Sequence, residues 1–305
     1  MPQALPVLVN ARAGSAEHDP EALTQRFKSL GIEADVRVAR DGDHLRALAK
    51  EAASTSPPTI VAGGGDGTIS TVAAVLAGSE ITLGILPLGT LNHFARDLGL
   101  PLDLDGAARV VATGTAKAVD LGDVNGRTFL NNSSLGIYPG IVRDREKQRR
   151  ELGRHKWHAL FWATMTVLRR SPFLAVRLKV DGEEATRRTP FVFVGNNAYQ
   201  IEGFALGQRP TLDAGVLSLY LTQRRSRMQL AGLGLRALFG RLRQANDFEA
   251  LTARSIRVET RHSRLLVALD GELAVMQTPL DYSLRPGALR VLVPASLART
   301  PPEPA

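Results

Sequence analysis

The chain has 305 residues, 44% hydrophobic and 22% charged, a globular mixture that at about 100–200 residues per domain predicts two domains. Lys and Arg number 38 against 30 Asp and Glu, giving a formal charge of +8 and a sequence pI near 10.3, which favours polyanionic partners such as nucleotide, anionic lipid or nucleic acid. The absence of cysteine excludes disulfides, thiolate zinc sites and cysteine nucleophiles, and agrees with a reducing, cytoplasmic setting.

Met1 to Asn10 lack a basic start followed by an apolar run, so no secretory signal is expected. From Leu5 to Leu100 short β-rich runs alternate with helical stretches. Pro6–Val9, Ala34–Val38, Thr59–Ala62 and Leu83–Leu86 read as strands; Pro20–Leu30, Asp43–Ala53, Thr68–Ala77 and a stretch starting near Leu91 read as helices. That alternation predicts βαβ crossovers and a doubly wound, mostly parallel sheet over residues 1–120, with ligands at the carboxyl ends of the strands. After about Ala118 strand follows strand: Phe173–Val180, Pro190–Val194, Val216–Leu221, Ser255–Glu259 and Leu265–Leu269. These predict an antiparallel, sandwich-like domain over residues 121–298, with helical inserts at Gly140–Arg170 and Ser226–Phe239. The last run, Ala288–Val293, can pair with either sheet, and residues 299–305, rich in proline, read as a frayed tail. No transmembrane helix is expected: polar and Gly/Pro positions interrupt Ile69–Leu91, and Trp157–Leu168 is too short.

The strongest local signal is Gly63-Gly64-Gly65-Asp66-Gly67-Thr68, directly after a β run and before a helix. Glycines there let backbone approach a phosphate, and the helix offers unpaired N–H groups and a positive dipole end. The block is neither a P-loop nor a dinucleotide fingerprint, and by itself it also fits a tight turn with Asp66 as helix cap. Two further strand ends carry similar loops, Pro87-Leu88-Gly89-Thr90-Leu91-Asn92 and Asn10-Ala11-Arg12-Ala13-Gly14. Three such loops facing one crevice predict a nucleotide phosphate site.

With these loops the sequence resembles the bacterial members of the diacylglycerol kinase and sphingosine kinase superfamily of lipid kinases, whose Gly-Gly-Asp-Gly-Thr signature is shared with NAD kinases and phosphofructokinases. Gly64, Gly65, Asp66, Gly67 and Thr68 match the signature; Gly89, Thr90 and Asn92 match the second nucleotide loop; Asn10 and Gly14 fit the first, with Ala11 in place of its proline. The resemblance runs over nearly the whole chain and implies the family's two-domain fold and its use of ATP and Mg²⁺. It also makes Asp66 a candidate for positioning the nucleotide and its metal, and Asp213 a second metal candidate. Asp213 lies in a stretch that is commonly Asp-Asp-Gly in the family but reads Asp213-Ala214-Gly215 here. The family's threonine after the second strand is Ala39 in this chain.

Asp270-Gly271-Glu272 follows the apolar run Leu265–Leu269. On an extended strand residues two apart project to one side, so both carboxylates are expected to face one cleft; the plain alternative is an Asp-Gly hairpin turn with a solvated glutamate. The resemblance implies that Asp270 is the general base taking the proton of the acceptor hydroxyl, with Glu272 as its partner or as the base itself. Asn131-Asn132 and Asn196-Asn197 follow β runs and either line a cleft or make turns.

The expected function is ATP-dependent phosphoryl transfer to a lipid hydroxyl, diacylglycerol or a related acceptor, at an anionic membrane surface. The alternatives are a kinase of a soluble acceptor such as NAD and a non-catalytic binder of anionic ligands. Low aromatic content, 5%, and the lack of a recognition motif argue against nucleic acid. Seven Lys or Arg against three acids between Arg143 and Lys156, followed by Trp157, Leu160, Phe161 and Trp162, predict a basic interfacial helix that docks on lipid.

Overall fold

The computed structural model describes residues 4–11, 19–136, 173–202, 205–222 and 248–296. The helical inserts expected at Gly140–Arg170 and Ser226–Phe239, together with Gly14 and the tail, lie outside these residues. The chain divides into two compact units, residues 1–121 with 285–305, and residues 122–284.

In the first unit, strands β1 (Leu5–Asn10), β2 (Ala34–Ala39), β3 (Thr59–Gly64) and β4 (Thr82–Pro87) run parallel in the order β2-β1-β3-β4. The late part of a long strand, β18 (Leu280–Val293), adds to β4, again in parallel, with Arg290 opposite Thr82. The run at Ala288–Val293 thus takes one of the two pairings open to it in sequence. Helices α1 (Pro20–Ser29) and α5 (Leu104–Thr113) pack Leu23, Phe27, Ala107 and Ala108 against Val7, Val9, Val61 and Leu86. The alternate strand residues Leu8, Ile60 and Leu83 are also fully buried and point to the opposite face. There α2 (Gly42–Ser54) contacts β1 and α3 (Asp66–Leu76) contacts β3. Strands buried on both faces read as continuous apolar runs, which is why Val7-Leu8-Val9 and Ile60-Val61-Ala62 carry no alternation.

Local chemistry sets the helix starts. Pro20, with its fixed φ and missing N–H, opens α1. The Asp41 carboxylate accepts the His44 N–H at 2.8 Å to cap α2, and this bond holds the Asp41 carboxyl below its ordinary range. Asp103 caps α5 through the Gly106 N–H at 2.7 Å.

The second unit is a sandwich of two antiparallel sheets. One has the order β14 (Phe248–Ala253), β13 (Leu217–Thr222), β10 (Phe191–Asn196), β7 (Asn132–Gly136), β16 (Arg264–Leu269), β17 (Glu272–Gln277). The other is built from the start of β18, β15 (Ser255–Thr260), β8 (Leu174–Val180) and β9 (Glu183–Thr189), while β5 (Thr115–Val124) pairs with β18 and β6 (Arg127–Phe129), and β11 (Gln200–Glu202) pairs with β12 (Ala205–Gln208). Alternating residues of both sheets form one core, with Val176, Leu178, Ile256, Val258 and Leu280 facing Leu135, Val192, Val194, Leu219 and Val267. Tyr282 is fully buried in that core, edge-on to Phe129 at 6.2 Å, with its hydroxyl 3.0 Å from Ser133 Oγ. Burial raises the Tyr282 phenol above its ordinary value, partly opposed by the Ser133 hydrogen bond. The architecture is therefore the expected one: a parallel α/β nucleotide-type unit and an antiparallel β unit. Among the described residues no helix is long and apolar enough to cross a membrane.

Candidate functional site

Strands β1, β3 and β4 are parallel neighbours, so the loops after Asn10, Gly64 and Pro87 emerge on one edge of the sheet. The Leu88 N–H donates to the Gly64 carbonyl at 3.0 Å, which ties the third loop to the second. Gly65 caps α3 and Asp66 is its first residue, so the helix starts two residues earlier than the sequence reading and Asp66 is not its cap. Gly65, Asp66 and Gly67 place backbone N–H groups at the positive end of this eleven-residue helix, the arrangement that binds phosphate oxygens.

The loops are packed backbone to backbone. A β-carbon on Gly89 would overlap the Gly65 Cα and lie 2.7 Å from Asn92 Oδ1, and one on Gly64 would overlap the Thr68 hydroxyl. Asn92 adopts the left-handed conformation with φ 50°. Its Oδ1 accepts the Gly89 N–H at 3.0 Å, and its Nδ2 donates to the carbonyls of Pro87 at 3.1 Å and Gly89 at 2.9 Å. Asp66 Oδ1 accepts the Phe94 N–H at 3.2 Å, fixing the start of α4 (His93–Asp97). Asn10 Nδ2 donates to Thr68 Oγ1 at 3.3 Å. The structure thus gathers Asn10, Gly64, Gly65, Asp66, Gly67, Thr68, Gly89 and Asn92 at one sheet edge, with the exposed Thr90 on the same loop.

In the second unit Asp270 and Glu272 do not lie on one continuous extended strand. Leu269 pairs with Glu272 across β16 and β17, and Asp270 (φ 48°) and Gly271 (φ 86°) form the two-residue turn between them. Positive φ at both central positions is what a type I′ hairpin requires and what Asp-Gly supplies. The expectation that two-residue spacing aims both carboxylates to one side is therefore corrected: that rule applies to pleated backbone, and a turn reverses the chain. Glu272 is exposed. Asp270 is turned inward, with Oδ2 accepting the Leu130 N–H at 2.7 Å and Oδ1 accepting the N–H groups of Asn131 at 2.7 Å and Asn132 at 3.0 Å.

The carbonyl side of residues 130–132 is held by Arg209 and Tyr199, which sequence reading did not single out, and by Asn196, which it did. Arg209, 3% exposed, donates from Nη1 to the Leu130 carbonyl at 2.9 Å and the Asn196 carbonyl at 3.2 Å, and from Nη2 to Asn131 Oδ1 at 2.6 Å. The Tyr199 hydroxyl donates to the Asn131 carbonyl at 2.9 Å, and Asn196 Nδ2 to the Leu130 carbonyl at 3.0 Å. Asn197, left-handed at φ 66°, accepts the Ala214 N–H at 2.9 Å. The asparagine pairs were the available signal: Asn131 and Asn197 sit at bends beside β7 and β10, and with Asn196 they enter a buried network.

Asp213 is exposed and accepts a hydrogen bond from the Thr211 hydroxyl. Among the described residues no three His, Cys, Asp or Glu side chains form a metal-holding group. Mg²⁺ commonly takes one or two carboxylates plus phosphate oxygens and water, and the half-buried Asp66 beside the phosphate-type loop fits that smaller role.

Backbone N–H groups at a helix start on a parallel α/β sheet suit an anionic ligand, and a separate antiparallel unit carries a buttressed carboxylate. Residues 4–124 match the diacylglycerol kinase catalytic domain, and residues 141–293 match the YegS C-terminal NAD kinase beta sandwich-like domain. The chain is 33% identical to a probable lipid kinase YegS-like protein of Pseudomonas aeruginosa, over 97% of this chain and 96% of that one. It is 30% identical to a diacylglycerol kinase of Mycobacterium tuberculosis, over 92% and 91%. The chain belongs to the YegS and diacylglycerol kinase family, whose members are phosphotransferases with an alcohol acceptor. The fold is shared with a diacylglycerol kinase structure from Bacillus anthracis, TM-score 0.69 at 21% identity over 96% and 97% of the two chains. Yeast NADH kinase is a more distant neighbour in fold, with TM-score 0.53 at 13% identity over 95% and 84%.

Proposed function

We propose that the protein is an ATP-dependent lipid kinase that moves the γ-phosphoryl group onto a hydroxyl of diacylglycerol or a related lipid at an anionic membrane surface. The observation that carries this reading is the interlocked pair of loops at Gly64–Thr68 and Gly89–Asn92, which offers backbone N–H groups to phosphate in a chain of this kinase family. Family membership removes the non-catalytic alternative, and the likeness to NADH kinase is one of fold alone.

Bound Mg²⁺ would neutralise charge on the nucleotide phosphates, with Asp66 as its protein carboxylate. Asp270 is assigned the acceptor proton. As the lipid oxygen bonds to the γ-phosphorus and the bond from that phosphorus to the bridging oxygen breaks, the hydroxyl proton passes to the Asp270 carboxylate. Three N–H bonds hold that carboxylate in place, and phosphoryl transfer depends mainly on such alignment.

Incubation with labelled ATP, Mg²⁺ and a total lipid extract, followed by mass spectrometry of the organic phase, tests the reading. A labelled phospholipid is expected. Label confined to a water-soluble acceptor overturns it.

A further inference from the structure

Arg209 is a buried cation committed to main-chain carbonyls and one amide oxygen of residues 130, 131 and 196. Burying a guanidinium is costly unless its donors are satisfied, and its planar fork suits several fixed acceptors at once. The Tyr199 ring centroid lies 5.4 Å from the guanidinium carbon, and the Tyr199 hydroxyl bonds the next carbonyl along. Residues 130–132 are therefore gripped from both sides. Their carbonyls and one side chain meet Arg209, Asn196 and Tyr199, while their three N–H groups converge on the Asp270 carboxylate. The Asp270 N–H also donates to the Asn132 carbonyl at 2.9 Å, which closes the loop.

We propose that Arg209 is a positioning residue for phosphoryl transfer, acting through the 130–132 segment to hold the Asp270 carboxylate in its reacting orientation. The proposal rests on the assignment of Asp270 as the proton acceptor. Peptide N–H groups polarised by donors on their own carbonyls make stronger hydrogen bonds, so the arginine both fixes the segment and strengthens its grip on the carboxylate. A carboxylate on a two-residue turn has no helix or strand interior to orient it, and this grip supplies the constraint instead.

The test compares Arg209→Met, Arg209→Lys, Asp270→Asn and the Arg209→Met/Asp270→Asn double variant, in the full chain, with labelled ATP, Mg²⁺ and total lipid extract. A misplacement of about 1 Å costs on the order of 10² in rate. Arg209→Met is therefore expected to lower apparent kcat by roughly ten- to a hundred-fold with KM for ATP unchanged. Arg209→Lys, which keeps the charge but loses the fork, is expected to fall between. In the Asp270→Asn background Arg209→Met should cost little more, because a residue acting through Asp270 has nothing left to position. Amide hydrogen exchange at residues 130–132 should speed up in Arg209→Met alone.

A folded Arg209→Met with normal kcat overturns the proposal, as does a rate loss that adds in full to that of Asp270→Asn. Should Arg209→Met not fold, Tyr199→Phe, which deletes one hydrogen bond to the same segment and keeps the ring, decides by the same two comparisons. A normal rate in Asp270→Asn instead overturns the base assignment, and the proposal with it; a slow Asp270→Asn beside a fast Arg209→Met overturns the proposal alone.

Discussion

Asp270 and Glu272 differ by environment more than by chemistry. One carboxylate is half-buried with three main-chain donors; the other is exposed at the first residue of a strand. A general base contributes on the order of 10²–10⁴ in rate. Asp270→Asn is therefore expected to remove that much of kcat with little change in ATP affinity, and Glu272→Gln to leave kcat near normal. The reverse pattern in steady-state kinetics would make Glu272 the base. The buried tyrosine gives a separate readout. Tyr282 has its phenol raised by burial, so the folded state keeps a proton that the unfolded state releases above the ordinary value of about 10. Stability from this group is present below that pH and is lost as pH rises beyond it. Tyr282→Phe is expected to flatten the alkaline limb of a stability-against-pH curve from denaturant titrations, and to cost about 1–3 kcal/mol at neutral pH by leaving the Ser133 hydroxyl without its 3.0 Å partner.

At the scale of elements, the parallel unit was legible because its signals are local. Continuous apolar runs, Gly-rich loops and intervening amphipathic helices recur from Leu5 to Leu100 and need no distant contact to interpret. The alternation of β8, buried-exposed from Leu174 to Val180, was legible for the same reason. Of the two readings open at Asp270-Gly271-Glu272, the structure takes the hairpin turn with an exposed glutamate, because Asp-Gly is the dipeptide most disposed to reverse a chain. Arg209 was invisible, since its bond to Leu130 spans 79 residues of sequence, and no local pattern reports such a contact. The loop elements yield a sharp prediction. A β-carbon on Gly65 would meet only the Gly89 Cα, at 3.4 Å, whereas one on Gly89 overlaps the Gly65 backbone. Gly89→Ala is expected to prise the loops apart and abolish ATP binding in calorimetry, while Gly65→Ala binds measurably and a bulky residue at Gly65 does not bind. Equal affinity for Gly89→Ala and the unsubstituted protein would sink the loop assignment.

For the molecule as a whole, the net charge of +8 would, under the proposed function, favour approach to an anionic lipid surface. The basic sequence Arg143–Lys156 carries an excess of +4, and at about 1 kcal/mol per cation near an anionic surface this amounts to roughly 4 kcal/mol, enough for reversible docking. Glu substitutions at Arg149, Arg150 and Arg154 are expected to release the protein from phosphatidylglycerol vesicles in a sedimentation assay without changing its circular dichroism. Binding indifferent to both the substitutions and added salt would remove this segment from the docking surface.

The strand that pairs with β4 on its outer side is synthesised long after it. Residues 285–293 leave the ribosome more than 160 residues after Leu121, at about 5–20 residues per second a delay of roughly 8–30 s. During that interval the nascent β4 has no partner on its outer side, and an unpaired parallel edge is a template for intermolecular pairing. The Gly89–Asn92 loop hangs from this same strand, since Pro87 is both its end and an acceptor for Asn92. This loop is therefore expected to reach its final packing only after residues 285–293 have emerged, which leaves the unfinished chain dependent on protection of one exposed strand.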